Sequence, residues 1–149
     1  MLRLPKATRS TILTIFVLAE LLPTGNSQHN YGLDKSTVED GLLTTPQLIK
    51  KYGYPVEAHE VVTADGYILT LHRIPYSRHS PGPEHRPVVL LQHGLLSSSA
   101  DFVLPGPQNG IAYYLSDAGF DVWMGNFRGN TYSRKHQKFT TRDSRYWDF

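Results

Sequence analysis

The sequence predicts an α/β fold in which an antiparallel hairpin is followed by a βαβ unit. Two segments rich in β-branched and aromatic residues, 56–63 and 67–74, flank a short glycine-containing turn, which is the pattern of a hairpin. A continuous apolar run at 88–91 predicts a strand buried on both faces. An amphipathic helical segment separates it from a second strand at 121–124. A strand, a helix and a second strand in that order are typical of two parallel strands. Together with the antiparallel hairpin, they predict a mixed sheet.

The N-terminal segment 1–27 has the features of a secretory signal peptide. Three basic residues within the first nine positions precede an almost wholly apolar run at 11–22. The small residues Gly25 and Ser27 follow, and we expect a signal peptidase to cleave after Ser27. The alternative is a membrane anchor, but this run is shorter than the ~20 apolar residues that span a bilayer. We therefore expect a protein of the extracellular space or the lysosomal lumen, without a transmembrane segment after signal removal.

Charge and cysteine content exclude several functional classes. Segment 1–27 holds three of the 15 basic residues and one of the 13 acidic residues, so 12 of each sign remain and the rest of the chain has no net charge. A nucleic-acid partner is therefore not expected. The chain has no cysteine, which excludes disulfides and a thiol nucleophile. We expect no cofactor and no metal site.

Two helices and an irregular arm are predicted around the strands. Residues 28–44 are polar and irregular and are expected to form an extended N-terminal arm. Thr45, followed by a proline, predicts the N-cap of a short helix that Gly53 closes. Asn109 is expected to cap a second helix, with Gly119 at its C-terminal end.

The loops after the two parallel strands are expected to form the functional site. Ligands of open α/β sheets bind at the carboxyl ends of the strands, and these ends are followed here by residues 93–96 and 125–134. Gly94 permits a turn that directs amide N–H groups into a cleft, where they could receive an oxyanion. The alternative interpretation is an ordinary tight turn without a chemical role.

Several sequence blocks, in order along the chain, resemble the acid lipase family, which includes gastric and lysosomal acid lipases and their insect relatives. The blocks are Tyr-Gly-Tyr-Pro at 52–55, Asp-Gly-Tyr-Ile-Leu at 65–69, Arg-Ile-Pro at 73–75, Gln-His-Gly-Leu-Leu at 92–96, Asp-Ala-Gly-Phe-Asp-Val-Trp at 117–123 and Gly-Asn-x-Arg-Gly-Asn-Thr at 125–131. The resemblance covers residues 45–149 and implies a partial lipase domain: the N-terminal portion of an α/β-hydrolase fold, with an incomplete sheet. It also implies hydrolysis of triacylglycerols or sterol esters. In such a partial sheet, strand 88–91 is expected to lie at an open edge.

The resemblance further implies roles for individual residues. The backbone N–H of Leu95 would form one half of the oxyanion hole. Four residues would shape the surrounding loops rather than transfer protons: His93, Gly94, Asn126 and Arg128. Phe127 stands where the family usually carries a small side chain, so it either crowds the floor of the cleft or points outward.

The residues that would carry out the reaction are not expected in this chain. Serine hydrolysis on this fold needs Gly-x-Ser-x-Gly, followed along the chain by an acid and a histidine, and none of the serines in the sequence has both glycines. A triad of His93, Asp101 and a nearby serine would have the wrong topology. We therefore expect the N-terminal segment of a lipase, inactive alone, whose partner is a lipid or ester at a lipid–water interface. The alternative is a non-catalytic lipid-binding or decoy protein derived from the lipase fold.

Overall fold

The computed structural model describes residues 13–15, 35–79, 82 and 85–149. Apart from Leu13–Ile15, the predicted signal segment lies outside the described residues, and so does the part of the predicted arm before residue 35. The prolines of the loop that precedes strand 88–91 are described only in part.

The described strands form one mixed sheet. They are β1 (Leu13–Ile15), β2 (Glu57–Val62), β3 (Tyr67–Ile74), β4 (Val88–Gln92), β5 (Asp121–Gly125) and β6 (Lys135–His136). Their order is β1-β4-β5-β3-β2, with β6 paired to β3. The pairs β2–β3 and β3–β5 are antiparallel, whereas β1–β4 and β4–β5 are parallel. The predicted hairpin and mixed sheet are therefore confirmed.

The hairpin bends at Gly66, whose φ of +94° lies in the region that glycine tolerates best. Strand β3 then pairs with β5, with His72 opposite Met124 and Ile74 opposite Val122. Paired residues share a face of the sheet, so His72 and Ile74 enter the core.

The described helices are short. They are α1 (Lys35–Gly41), α2 (Thr45–Lys51), α3 (Gly106–Asn109) and α4 (Ile111–Asp117), with 3-10 helices at Ser99–Phe102 and Ser144–Trp147. Helix α4 connects β4 to β5, and Gly119 follows it with a φ of +95°, as predicted. None of the helices in the described residues is long and apolar enough to cross a membrane.

The N-terminal ends of two helices differ from the prediction. Thr44, not Thr45, occupies the N-cap of α2, and its N–H donates to Gln47 Oε1 at 2.9 Å. Asn109 ends α3, and Gly110 occupies the N-cap of α4. A Cβ at Gly110 would lie 2.8 Å from the Gly106 carbonyl oxygen, so the close approach of two backbone segments selects glycine there.

The expected extended arm is wrong for Lys35–Gly41, which form α1. The reason is a long-range contact: the buried carboxylate of Asp40 accepts hydrogen bonds from Lys51 Nζ at 2.6 Å and from the Tyr52 hydroxyl. These partners belong to α2 and its C-cap, so α1 is held by tertiary contact rather than by its own apolar pattern.

The core lies on one face of the sheet. Val89 and Leu91 of β4 and Val122 and Met124 of β5 are fully buried and pack with residues of α2 and α4. The alternate residues of β4 are only partly buried. The prediction that strand 88–91 is buried on both faces is therefore wrong, because α2 and α4 contribute to the core on one face only.

In the uncleaved chain, the edge of β4 that was expected to be open is paired with β1, which lies within the predicted signal segment. Leu13, Thr14 and Ile15 align in parallel with Val89, Leu90 and Leu91. An uncovered strand edge presents unsatisfied N–H and C=O groups. Strand β1 pairs with these backbone groups of β4.

Arg73 ties three strands together on the other face of the sheet. Its Nε and Nη2 atoms donate to the two carboxylate oxygens of Asp121, both at 2.8 Å, and its Nη1 atom donates to Glu57 Oε2 at 2.9 Å. The guanidinium also lies 5.0 Å from the ring centroid of Trp123. Because Asp121 is buried, its charge depends on this bidentate partner.

Replacing Arg73 with alanine should lower the free energy of unfolding by about 3 kcal/mol, because the buried Asp121 carboxylate would lose its partner. Urea denaturation followed by circular dichroism measures the change. The matched control is Arg145→Ala, which removes an exposed pair with Asp143 and should lower the free energy of unfolding much less than Arg73→Ala, because water already solvates both charges. Equal losses in the two variants would contradict the assigned role of Arg73.

Candidate functional site

The loops after β4 and β5 line one open cleft of about 930 Å³. Parallel pairing places Gln92 beside Gly125 at the ends of the two strands, so both loops leave the sheet at the same edge. The candidate residues that line the cleft are His93, Gly94, Leu95, Phe127 and Arg128. Asn126 is buried next to it.

His93 bridges the two loops. Its Nδ1 atom lies 2.7 Å from the Gly94 carbonyl oxygen, and the Phe127 N–H donates to its Nε2 atom at 3.0 Å. Both contacts are satisfied by the tautomer with its proton on Nδ1. The Nε2 lone pair is then occupied by a backbone donor, and His93 links the two loops.

This link orients the peptide unit between Gly94 and Leu95. In a trans peptide the C=O and N–H groups point in opposite directions. Since the Gly94 carbonyl oxygen faces His93, the Leu95 N–H points away from the imidazole. This N–H makes no hydrogen bond with the described residues, so it is available to a ligand in the cleft.

The tip of the loop is exposed and strained. Leu95 and Leu96 are 93% and 99% exposed, although both are apolar. Leu96 has a φ of +62°, a left-handed conformation that costs a non-glycine residue about 1 kcal/mol or more. Such a conformation persists only where the flanking contacts impose it.

Ser99 provides the anchor after the exposed tip. It is fully buried, and its N–H donates to Asn126 Oδ1 at 2.9 Å. Its hydroxyl lies 2.8 Å from His72 Nδ1 and 3.2 Å from Thr45 Oγ1. The loop 93–99 is therefore held at one end by the hydrogen bonds of His93 and at the other by those of Ser99.

Asn126 and Asn130 connect the second loop to both anchors. Asn126 Oδ1 accepts from Asn130 Nδ2 at 2.9 Å as well as from Ser99, while Asn126 Nδ2 donates to the Thr70 carbonyl at 3.0 Å. Asn130 Oδ1 accepts the N–H groups of Tyr132 and Ser133. Both atoms of the Asn126 side-chain amide therefore bond to protein groups, and the second loop is tied to Ser99 and to strand β3.

Arg128 holds the outer part of the second loop. Its guanidinium donates to the Asp65 carboxylate, in the turn between β2 and β3, and lies 4.4 Å from the ring centroid of Tyr67 and 5.3 Å from that of Phe149. These contacts neutralise the charge and fix the side chain at the margin of the cleft. The geometry gives Arg128 a structural contact with the hairpin rather than a free cation.

Phe127 does not simply point outward. Its ring meets the His93 imidazole edge to face, with centroids 5.0 Å apart and planes at 76°. It is 51% exposed and lines the cleft.

The serine-rich segment does not form a triad with His93. Asp101 accepts a hydrogen bond from the Ser97 hydroxyl, whereas His93 contacts Gly94, Phe127 and Asn130. No serine hydroxyl bonds to His93 in the described part of the chain. The same residues contain no group of three or more His, Asp or Glu side chains that could hold a metal ion.

Four residues that organise the site were not identified from the sequence: Ser99, His72, Thr45 and Asn130. Ser99 stands in a run of three serines, which gives no local sign of which one is buried. The one sign in the sequence of a residue that organises the site was a polar residue within an otherwise apolar segment, such as His72 in strand β3. The side-chain partners of Ser99, His72 and Thr45 lie 27 or more positions away along the chain, so local patterns could not pair them.

Comparison with protein families matches two adjoining parts of the chain. Residues 45–106 match a family described as a partial alpha/beta-hydrolase lipase region. Residues 87–147 match a family described as the alpha/beta hydrolase fold. The two matches overlap in β4 and the loop after it, which is the segment that carries His93 and Leu95.

Curated relatives carry lipase names. Lipase 3 of Drosophila melanogaster is 60% identical over 93 residues, which are 62% of this chain and 24% of that protein. Lipase member K of Homo sapiens is 44% identical over 123 residues, 80% of this chain and 31% of the relative. Lipase lipl-1 of Caenorhabditis elegans is 49% identical over 110 residues, 72% and 27% respectively. The chain thus spans about a quarter to a third of the length of these relatives.

Acid should destabilise the protein through His72. Burial lowers the pKa of His72 to about 4, whereas an unfolded histidine has a pKa of about 6.5. Between these two values the unfolded state binds more protons, so the free energy of unfolding falls as the pH falls, by up to about 1.4 kcal/mol per pH unit. Above about pH 6.5 and below about pH 4 this contribution no longer changes.

Urea denaturation of the wild type and of His72→Gln between about pH 7 and about pH 4 tests this dependence. Glutamine keeps a polar group beside Ser99 but does not titrate in this range, so the variant should lose a large part of the pH slope. His79→Gln, at an exposed histidine, is the matched control. An unchanged slope in His72→Gln would contradict the assignment.

Proposed function

Because the chain belongs to an acid-lipase-like family of α/β-hydrolases and corresponds to its N-terminal part, we propose that it supplies half of the oxyanion hole of a serine ester hydrolase. The substrates proposed are lipid esters, triacylglycerols or sterol esters, met at a lipid–water interface. The observation that carries the proposal is the Leu95 N–H, directed away from the His93 anchor and unpaired among the described residues.

The chemistry follows from where negative charge develops. Attack of a serine oxygen on an ester carbonyl breaks the C=O π bond and places negative charge on the carbonyl oxygen. A fixed backbone N–H stabilises that oxyanion without having to reorganise. Leu95 would supply this hydrogen bond, while His93, Gly94, Asn126 and Arg128 hold the loops that position it.

The nucleophile is the missing partner in this proposal. The 149 residues contain no Gly-x-Ser-x-Gly, and an oxyanion donor without an attacking group cannot form an acyl-enzyme. We therefore propose that this polypeptide alone does not hydrolyse esters, and that turnover belongs to a longer protein in which the same segment is joined to a nucleophile elbow, an acid and a histidine.

A fusion of residues 28–149 to the downstream part of Drosophila Lipase 3 tests the role of the Leu95 amide. The fusion should hydrolyse a short-chain triacylglycerol, and Leu95→Pro, which removes the N–H, should lower kcat by about 100-fold or more. Leu95→Ala keeps the N–H and is the matched control, with kcat expected to change only a few-fold. Equal activity of the proline and alanine variants would refute the proposal.

The 149-residue chain and the fusion are each treated with a fluorophosphonate probe, which labels activated serines. No adduct is expected on the 149-residue chain, whereas the fusion should be labelled. A covalent adduct on any serine of the shorter chain would show that it carries its own nucleophile.

A second candidate function is lipid binding without catalysis. Among the described residues, half of the exposed large apolar side chains line this one cleft: Leu95, Leu96, Leu104, Phe127, Trp147 and Phe149. Such concentration of apolar surface marks a binding site. Lipid binding by the chain, together with an inactive fusion, would favour this function over the first.

We also propose secretion, on the basis of the apolar run at 11–22 behind three basic residues. Expression in insect cells should release a product whose first residue is Gln28, identified by N-terminal sequencing of the medium. Val17→Arg places a charge in the apolar run and should keep the chain inside the cell. A cell-associated wild-type product that retains residue 1 would contradict secretion.

A further inference from the structure

Phe127 is the aromatic side chain most directly attached to the anchor of the Leu95 loop. Its N–H donates to His93 Nε2 at 3.0 Å, and its ring packs on the same imidazole. The backbone and the side chain of Phe127 therefore both have fixed positions relative to His93. The imidazole in turn holds the Gly94–Leu95 peptide, so the ring and the Leu95 amide form parts of one connected unit.

The other apolar side chains of the cleft are attached elsewhere. Trp147 and Phe149 belong to the C-terminal segment, where they contact Tyr146 and Tyr67. Leu104 follows the first 3-10 helix. An ester whose carbonyl oxygen lies at the Leu95 N–H would share the cleft with Phe127, whose ring packs on the imidazole that holds the Gly94–Leu95 peptide, whereas among the described residues Leu104, Trp147 and Phe149 have no such link to that peptide.

The ring affects two kinds of lipid ester differently. An unbranched acyl chain is narrow and flexible, so it can run along the face of an aromatic side chain and bury apolar surface against it. A sterol is a wide, rigid ring system attached directly to the ester oxygen, and it cannot bend around an obstacle near the carbonyl. Since His93 fixes the Phe127 backbone and packs on its ring, the ring cannot withdraw freely.

We propose that Phe127 is a specificity-determining residue that makes this cleft accept unbranched acyl esters and reject sterol esters. This inference rests on the proposed function and deepens it, because it selects one of the two substrate classes. It rests on the position of the ring in the cleft and on its contact with His93. A small side chain at this position would remove the barrier and leave the Leu95 loop in place.

Binding to the full 149-residue chain tests the inference without requiring turnover. The probes are the methyl ester of parinaric acid, an unbranched conjugated polyene, and the acetate ester of dehydroergosterol, a fluorescent sterol ester. Both accept excitation energy from tryptophan, and Trp147 lines the cleft. The wild type should bind the acyl ester about tenfold more tightly than the sterol ester, the scale on which apolar pockets discriminate shape.

Phe127→Ala should raise the affinity for the sterol ester by about that factor and change the affinity for the acyl ester only about twofold. Phe127→Leu keeps an apolar side chain, and its affinity for the sterol ester should lie between those of the wild type and Phe127→Ala. If the alanine variant fails to fold, the leucine variant tests the inference. The matched control is Tyr114→Ala, since Tyr114 is exposed on α4 outside the cleft. It should reproduce both wild-type affinities.

The outcomes separate the two proposals. If the wild type binds the acyl ester and the sterol ester equally well, or if both Phe127 variants keep the wild-type preference, the specificity inference is overturned while the proposed function stands. If the wild type binds neither probe, the proposed lipid site fails and the inference fails with it.

Discussion

The site depends on two hydrogen bonds made by one imidazole. His93 accepts the Phe127 N–H on Nε2 and faces the Gly94 carbonyl with Nδ1, so it joins the loop after β4 to the loop after β5. Each loop alone is a short segment that follows a strand. Connected through His93, they become the two walls of one cleft, with the Leu95 amide in a defined orientation.

Polar residues inside the protein make this connection rigid. Ser99, Asn126 and His72 are buried and hydrogen-bonded to one another or to the backbone. A buried polar group left without a partner costs about 1–3 kcal/mol, so alternative positions of the loop are penalised. This satisfied network favours the position of a loop tip that has two exposed leucines and a left-handed Leu96.

The polar side chains of the two loops contact the protein itself. His93, Asn126 and Arg128 each make hydrogen bonds with protein groups, whereas the backbone N–H of Leu95 makes no hydrogen bond with the described residues. In the function proposed above, these side chains hold the loops, and the N–H of the peptide between Gly94 and Leu95 receives the ligand. The exposed apolar side chains that line the cleft support the proposal of a lipid ligand.

The sequence by itself determined strands β2 to β5, the hairpin turn at Gly66, the mixed sheet and the two loops of the site, because these follow from local periodicity and from glycine or proline at particular positions. Tertiary structure alone decided helix α1, the cap at Gly110, the single covered face of β4 and the pairing of Ser99 with His72 and Asn126. Each of these depends on partners distant in the chain, such as Lys51 for Asp40 and Asn126 for Ser99. A residue's own neighbours in sequence fix its backbone tendency, but only the packed chain determines which buried polar groups can satisfy each other.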